Sequence, residues 1–441
     1  SRTDTNRSMY SSIAPAHLAE AEVLVLAPRF PSINQPWMDS YLEQLEACGI
    51  PFAIASTTAR PGTYAEKVDR LRLLEKTVVV APRISGSIRA VAEWMRDAPR
   101  AKARAALRVW KHAGAERVLR SRLGTTLRAL EAHIVLTSLP RVRVIHAHSL
   151  DMAYDFLPGA RLTTIPIVVT FHGLKPTGVP QTPQHRREVL FDYAQTVLVN
   201  TAFACDQVVE LGCPPSKIQI VPQGLPLGDF PYVERGAPAP LHTLELLSVG
   251  RFHRDKGQAY SLGALRGILQ RGIKAHWHFV GVGQGYQELQ QIASRLGVAE
   301  HVTFHVGAGA DELRSLYSRC HIFVLASVAN DGVSEHVETQ GVVLQEAQAS
   351  GCIPIATRVG GIPECINDNV DGILVSDKSD EAIVEAVQFL FEHPEKWRLF
   401  QRAGRENVER RFSSEVIGKR IAEVLDEAGG PLTQRPYRLS T

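Results

Sequence analysis

Short apolar runs rich in β-branched residues recur along this chain, separated by amphipathic stretches. In the first half the runs are EVLVLAP (22–28), PFAIAS (51–56), TVVVAP (77–82), VRVIHAHS (142–149), PIVVTFHG (166–173), TVLVNT (196–201) and IQIVPQG (218–224). A second series follows: LELLSVG (244–250), HWHFVGV (276–282), VTFHVG (302–307), IFVLAS (322–327), IPIATR (353–358) and GILV (372–375). Near-continuous apolar strands alternating with helical stretches such as YQELQQIASRLG predict parallel sheets covered by helices on both faces. Between the series lies PYVERGAPAPLHT (231–243), which has no apolar periodicity and reads as a linker. The segment from about Asp380 to Gly429 reads as helical. The pattern therefore predicts an α/β chain with two doubly wound domains and a cleft between them.

Composition changes this picture little. A chain of 441 residues with 44% apolar and 22% charged positions fits two or three soluble globular domains. The net charge of +3 shows no overall nucleic-acid footprint. Charge is uneven, however. From Arg89 to Arg128 eleven Lys and Arg stand against three acids, Glu93, Asp97 and Glu116. Arg100, Arg104, Arg108 and Lys111 recur there at helical spacing beside Trp94, Leu107, Val109 and Trp110. That stripe is either a solvated helix face or a surface for anionic lipid or an anionic acceptor. The six cysteines show no zinc-type spacing and read as reduced thiols of a cytoplasmic protein. The first twenty residues are polar and read as lacking a signal-peptide core, and no apolar run reaches the length of a membrane span.

In open α/β sheets ligands bind outside the carboxyl ends of the strands, so polar residues there are the candidates. GRFHRDKG puts Arg251 and Lys256 after the first strand of the second series, where two cations beside glycines suit a diphosphate. A solvated loop with Asp255 as a helix cap is the alternative. In ETQGVVLQE, Glu338 and Glu346 have seven residues between them, with Gly341 in that interval. A helix starting near Gly341 leaves its first N–H groups free for a phosphate or sugar oxygen. Glu338 then precedes the helix and Glu346 lies inside it among small apolar residues, so the two acids can hold two parts of one ligand. His172 ends a strand of the first series, where it can serve a ligand or the fold. His146 and His148 share a strand face, but two imidazoles without a carboxylate make a poor metal site. Neither series carries GxGxxG after its first strand, so a dinucleotide fingerprint is absent.

Together these segments resemble the retaining GT-B glycosyltransferases of family 4 (glycosyl transferases group 1), including bacterial colanic-acid and exopolysaccharide types. SVGRFHRDKG, CHIFVLAS, the paired glutamates and TRVGGIPECI carry the resemblance in the second half. VIHAHS, VVTFHG and LGCPPSKIQIVPQG carry it in the first. RFPSINQPWMDSYLEQLEACG is similar to that family's FPS-x-SETF entry, with Asn34, Gln35, Pro36 and Trp37 in place of the Ser-Glu-Thr-Phe. The resemblance implies two Rossmann-like domains facing a cleft: a polar tail (1–20), an acceptor domain (21–235) and a nucleotide-sugar donor domain (236–412). A C-terminal helix and tail (413–441) is a candidate to cross back to the first domain.

The resemblance also implies roles. Arg251 and Lys256 neutralise the donor diphosphate. Glu338 holds a sugar hydroxyl and Glu346 the ribose. Thr339, Gln340, Gly341 and Val342 line the donor site, with backbone N–H groups from Gln340 to Val342 on sugar or phosphate oxygens. His172 approaches from the opposite domain. It implies a hexosyltransferase-type enzyme of polysaccharide biosynthesis that uses a UDP- or GDP-sugar and a glycan or lipid-linked acceptor. No metal or resident cofactor is expected, and contact with an anionic membrane would run through 89–128. An epimerase or phosphorylase on the same plan is the alternative enzyme, and a sugar-nucleotide-binding subunit without turnover the alternative from another class.

Overall fold

The computed structural model describes residues 14–31, 36–57, 66–80, 123–174, 182–239, 242–329 and 337–434, together with 100, 103, 104 and 107. Most of the basic stretch 89–128 lies outside the described residues, as do Asn34 and Gln35.

Every apolar run of the sequence pattern becomes a strand. In the first half these are β1 (Val23–Ala27), β2 (Phe52–Ser56), β3 (Thr77–Val79), β4 (Val144–Ala147), β5 (Ile167–Thr170), β6 (Thr196–Val199) and β7 (Ile218–Ile220). The second half supplies β8 (Leu244–Val249), β9 (Ala275–Gly281), β10 (Val302–Val306), β11 (Ile322–Leu325), β12 (Ile353–Thr357) and β13 (Ile373–Val375). Helices in the first half are α1 (Pro36–Ala47), α2 (Glu66–Arg70), α3 (Leu123–Ser138), α4 (Leu150–Thr163), α5 (Gln184–Tyr193) and α6 (Ala202–Glu210). The second half adds α7 (Gln258–Gln270), α8 (Tyr286–Arg295), α9 (Ala310–Arg319), α10 (Val342–Ser350) and α11 (Asp380–Glu392). The chain ends in α12 (Lys396–Arg411) and α13 (Ser414–Gly429).

The strands form two parallel sheets, of seven strands in the order β3-β2-β1-β4-β5-β6-β7 and of six in the order β10-β9-β8-β11-β12-β13. Strand order reverses between β1 and β4 in one sheet and between β8 and β11 in the other, which opens a crevice at the carboxyl ends of those strands. Both faces of each sheet are buried. Leu24 and Leu26 of β1 pack with Ala153, Phe156 and Leu157 of α4, while Val23 and Val25 pack with Met38, Leu42 and Leu45 of α1. In β8, Leu246 joins the cluster around Trp277 and Phe279, whereas Leu247 joins the opposite cluster around Tyr317, Phe323 and Leu344. Burial on both faces explains why the strands read as apolar runs and not as alternating patterns.

Two connections tie the halves together. The linker-like 231–239 segment is pinned to the second sheet's side: Arg235 donates to the Ser318 carbonyl and to Cys352 Sγ, and its backbone N–H donates to Gln401. At the other end of the chain, Leu225 and Ser413 pair as an isolated bridge, with Leu225 N–H donating to the Phe412 carbonyl at 2.7 Å. From there α13 runs back onto the first sheet, where Ile417, Ile421, Val424 and Leu425 pack among Val25, Met38 and Leu42.

Candidate active site

The loop after β8 folds into a tight 3-10 turn, Arg254–Lys256, closed by Gly257. Gly257 has φ +62°, and a Cβ there would sit 1.8 Å from the Ala326 carbonyl oxygen, so only glycine lets the turn lie against the end of β11. Asp255 is buried beneath the turn and accepts hydrogen bonds from Arg251 Nη2 at 2.9 Å and His253 Nδ1 at 2.8 Å. That carboxylate holds the Arg251 head, which is half exposed. Lys256 points the other way and donates to Glu338 Oε2. The pair is largely shielded, with side-chain exposures of 14% and 17%, so each charge depends on its partner.

Glu338 begins the segment that leads into α10. Gly341 occupies the N-cap of α10 at φ +72° and has no side chain of its own, so the first N–H groups of the helix lack an N-cap side chain among the described residues. The segment is supported from below: a Cβ on Gly361 would lie 1.8 Å from the Thr339 carbonyl oxygen. Glu346 lies on the second turn of α10, where the hydroxyl of Tyr317 (α9) donates to its Oε2 at 2.7 Å. Burial raises the carboxyl of Glu346 above the ordinary range, and the Tyr317 hydrogen bond acts in the opposite sense.

His172 faces this segment from the first sheet. The neighbouring Gly173 lies so close that a Cβ on it would be 2.6 Å from Thr339 Cγ2. His172 packs under Trp37, with ring centroids 4.0 Å apart, and contacts His148 Nδ1 through Nε2 at 3.1 Å. Gln223 Nε2 lies 3.4 Å from its Nδ1. With the amide nitrogen facing the ring, Nδ1 accepts, and the ring proton sits on Nε2 and is donated to His148. His146 shares hydrogen bonds with Tyr41 Oη at 2.5 Å and Thr170 Oγ1 at 2.7 Å, so both of its ring nitrogens are committed within the protein. Burial lowers all three imidazoles, His172 to about 4 and His146 to about 3, and His148 well below its ordinary value. The cluster is uncharged near neutrality.

The family model for glycosyl transferases group 1 matches residues 235–407, and the model for Glycosyltransferase Family 4 matches residues 72–228. The chain belongs to this glycosyltransferase family. It is similar to the putative colanic acid biosynthesis glycosyltransferase WcaL of Escherichia coli K12, at 25% identity over 59% of this chain and 64% of the relative. It is also similar to a GDP-mannose-dependent alpha-(1-6)-phosphatidylinositol monomannoside mannosyltransferase of Mycolicibacterium smegmatis. There the identity is 34% over 41% of this chain and 47% of the relative. The chain thus spans less than two thirds of the length of these curated relatives. Among solved structures, a glycosyltransferase of Rickettsia africae superposes with TM-score 0.70 at 16% identity, covering 93% of this chain and 98% of that one. The Anabaena protein HepE, solved with UDP and glucose, superposes with TM-score 0.66 at 15% identity, covering 92% of this chain and 99% of that one. These likenesses place the two sheets in the GT-B fold.

In this GT-B chain the side chains of two sequence-derived candidates turn toward the other domain. Thr339 Oγ1 accepts from Asn200 Nδ2 at 3.0 Å, and its carbonyl accepts from Thr201 Oγ1 at 2.8 Å. Gln340 clasps the backbone of Gln223, accepting from its N–H at 2.8 Å and donating to its carbonyl at 3.3 Å. These side chains brace the cleft, so what they leave for a ligand is backbone. Glu364 strengthens the brace by accepting from the Ala202 and Phe203 N–H groups at the start of α6, at 2.7 and 2.9 Å. Lys256 and Glu338 are brought into direct contact. Arg251 is held by Asp255, and Glu346 is paired with Tyr317 and not with Glu338. The sequence reading did not single out Tyr317, Gln223, Asn200, Thr201 or Glu364. Asn200, Thr201 and Gln223 stand at the ends of the runs TVLVNT and IQIVPQG, and Glu364 stands in TRVGGIPECI, three positions after the Gly-Gly turn.

Proposed function

We propose that this chain transfers a sugar from a UDP- or GDP-sugar to an acceptor hydroxyl with retention of anomeric configuration. The acceptor we infer is a lipid-linked or oligosaccharide intermediate of cell-surface polysaccharide synthesis. One observation carries the reading: the shielded Lys256–Glu338 ion pair beside the uncapped N-terminus of α10. A cation, a carboxylate and helix N–H groups without an N-cap side chain, at one place, match the phosphates and hydroxyls of a nucleotide-sugar. The names of relatives support the donor class, since a second one is the GDP-mannose:cellobiosyl-diphosphopolyprenol alpha-mannosyltransferase of Xanthomonas oryzae, and the Anabaena structure contains UDP.

In this account the bond between the anomeric carbon and the β-phosphate oxygen breaks, and charge grows on the leaving diphosphate. Arg251, Lys256 and the N–H groups of Gln340 to Val342 take up that charge. Lys256 exchanges Glu338 for phosphate, which releases Glu338 to a sugar hydroxyl, while Glu346 holds the ribose. The acceptor oxygen attacks from the face that the phosphate leaves, and its proton passes to the leaving phosphate oxygen, so configuration is retained. His172, neutral, turns its Nε2–H from His148 to the ligand and so contributes a hydrogen bond from the first domain without introducing charge. The reaction is proposed to need no metal, because the cations and the helix N-terminus already stand where the charge develops.

A thermal-shift screen of UDP-, GDP- and ADP-sugars tests the donor class, since a ligand at about one hundred times its Kd stabilises by about 2.7 kcal/mol. NMR of the product anomer with the donor so found tests retention, and EDTA should leave the rate unchanged. We place the chain at the cytoplasmic face of the membrane, held through 89–128. Sedimentation with anionic vesicles tests that contact. Among the described residues no helix is long and apolar enough to cross a membrane.

A further inference from the structure

The geometry points to Tyr317 as a positioning residue of the donor site, a buried phenol that aims the Glu346 carboxylate at the nucleotide ribose. This rests on the reading of Glu346 as the ribose holder. Tyr317 is fully buried, its ring fixed between Phe230 and Phe323 with centroids 5.9 Å away on either side. Its backbone is tied as well, since its carbonyl accepts from Cys352 Sγ at 3.2 Å. The hydroxyl is thus delivered from a rigid mount, and its partner is Glu346 Oε2 at 2.7 Å. Glu346 itself is only half-buried and lies on the first two turns of α10, the helix whose N-terminus meets the Lys256–Glu338 pair.

Fixing one carboxylate oxygen leaves the other to accept from a ribose hydroxyl in a defined direction. A second consequence concerns charge. Burial favours the protonated form of Glu346, and the phenol hydrogen bond favours the carboxylate that a ribose diol needs. Other ionisable groups around Tyr317 are the Cys320 and Cys352 thiols, both raised by burial and therefore uncharged, and the Arg235 guanidinium, which contacts Cys352 Sγ at 3.5 Å. Tyr317 is the group whose hydrogen bond acts on Glu346.

The test is a double-mutant cycle of Tyr317→Phe and Glu346→Gln, read by calorimetric binding of UDP, GDP and ADP between pH 5 and 8. Tyr317→Phe keeps the ring and its packing. Its Kd for the bound nucleotide should rise about tenfold at pH 8, the loss expected for one hydrogen bond to a charged group. Its acid limb should move to higher pH by about one unit. The nucleotide's own phosphate titration is common to all arms. Because Tyr317 acts through Glu346, the double variant should bind no more weakly than Glu346→Gln alone. Additive losses, or an acid limb that does not move, would overturn the proposal. If Glu346→Gln weakens binding and Tyr317→Phe does not, the positioning role fails and the ribose reading stands. If Glu346→Gln binds like the wild type, or the wild type binds none of the three nucleotides, the ribose reading fails and the proposal goes with it.

Discussion

Charges at the candidate site are held in pairs: Arg251 on the buried Asp255, and Lys256 on Glu338. The account expects Lys256→Ala and Glu338→Ala to lower turnover of the donor by more than about a hundredfold, the scale of losing one electrostatic contact to the developing charge. Removing one partner of this shielded pair also lowers the melting temperature, so turnover is compared where calorimetry shows each variant folded. Gly257→Ala should act differently, because its Cβ meets the Ala326 carbonyl and not a ligand. Differential scanning calorimetry should show a loss of about 1–3 kcal/mol, as for overpacking. The histidine cluster sets a pH limit. Folded His146 and His172 are lowered to about 3 and about 4 from 6.5, so between those values the unfolded chain binds more protons than the folded one. Stability therefore rises with pH across this window and is lost on acidification, by up to about 1.4 kcal/mol per pH unit for each imidazole. A melting temperature unchanged from pH 7 to pH 5 would contradict the neutral cluster.

Strands were legible as elements because burial on both faces leaves continuous apolar runs, as in LELLSV and IPIAT. Gly341 announced the start of α10 in the same way, by being the residue that a positive φ requires. Side-chain partners across the cleft were not legible. Thr201 reaches Thr339 over a separation of 138 residues, and Ala202 reaches Glu364 over 162, and no local pattern marks such pairs. Tyr317 was hidden for another reason: at the sequence level a tyrosine on the apolar side of an amphipathic helix reads as core, which it also is. The capping role of Glu364 gives an element-scale prediction. Glu364→Ala leaves two N–H groups at the start of α6 without their carboxylate, at a cost of about 1 kcal/mol. Small-angle scattering should then show a larger radius of gyration if that cap holds the cleft closed.

At the scale of the whole molecule, the two sheets share one strand order, with β7 added to the first, and the chain crosses between them after β7 and again at Ser413. The packing of α13 on the first sheet makes the first domain depend on residues from the end of the described chain. Leu425→Ala, in the cluster with Val25 and Leu42, should cost about 2–5 kcal/mol. The resulting unfolding should expose the first sheet. The two-sheet plan was readable from the order of apolar runs and a resemblance spread over both halves. How closely the halves meet was not, because that depends on the Asn200, Thr201, Gln223 and Glu364 contacts. The central claim concerns the crevice those contacts frame, and release of nucleoside diphosphate from a panel of UDP-, GDP- and ADP-sugars tests it most directly. The account predicts release from at least one donor by the wild type, and loss of that release in folded Lys256→Ala and Glu338→Ala. Wild-type rates in either variant, or no release from any donor, would contradict it.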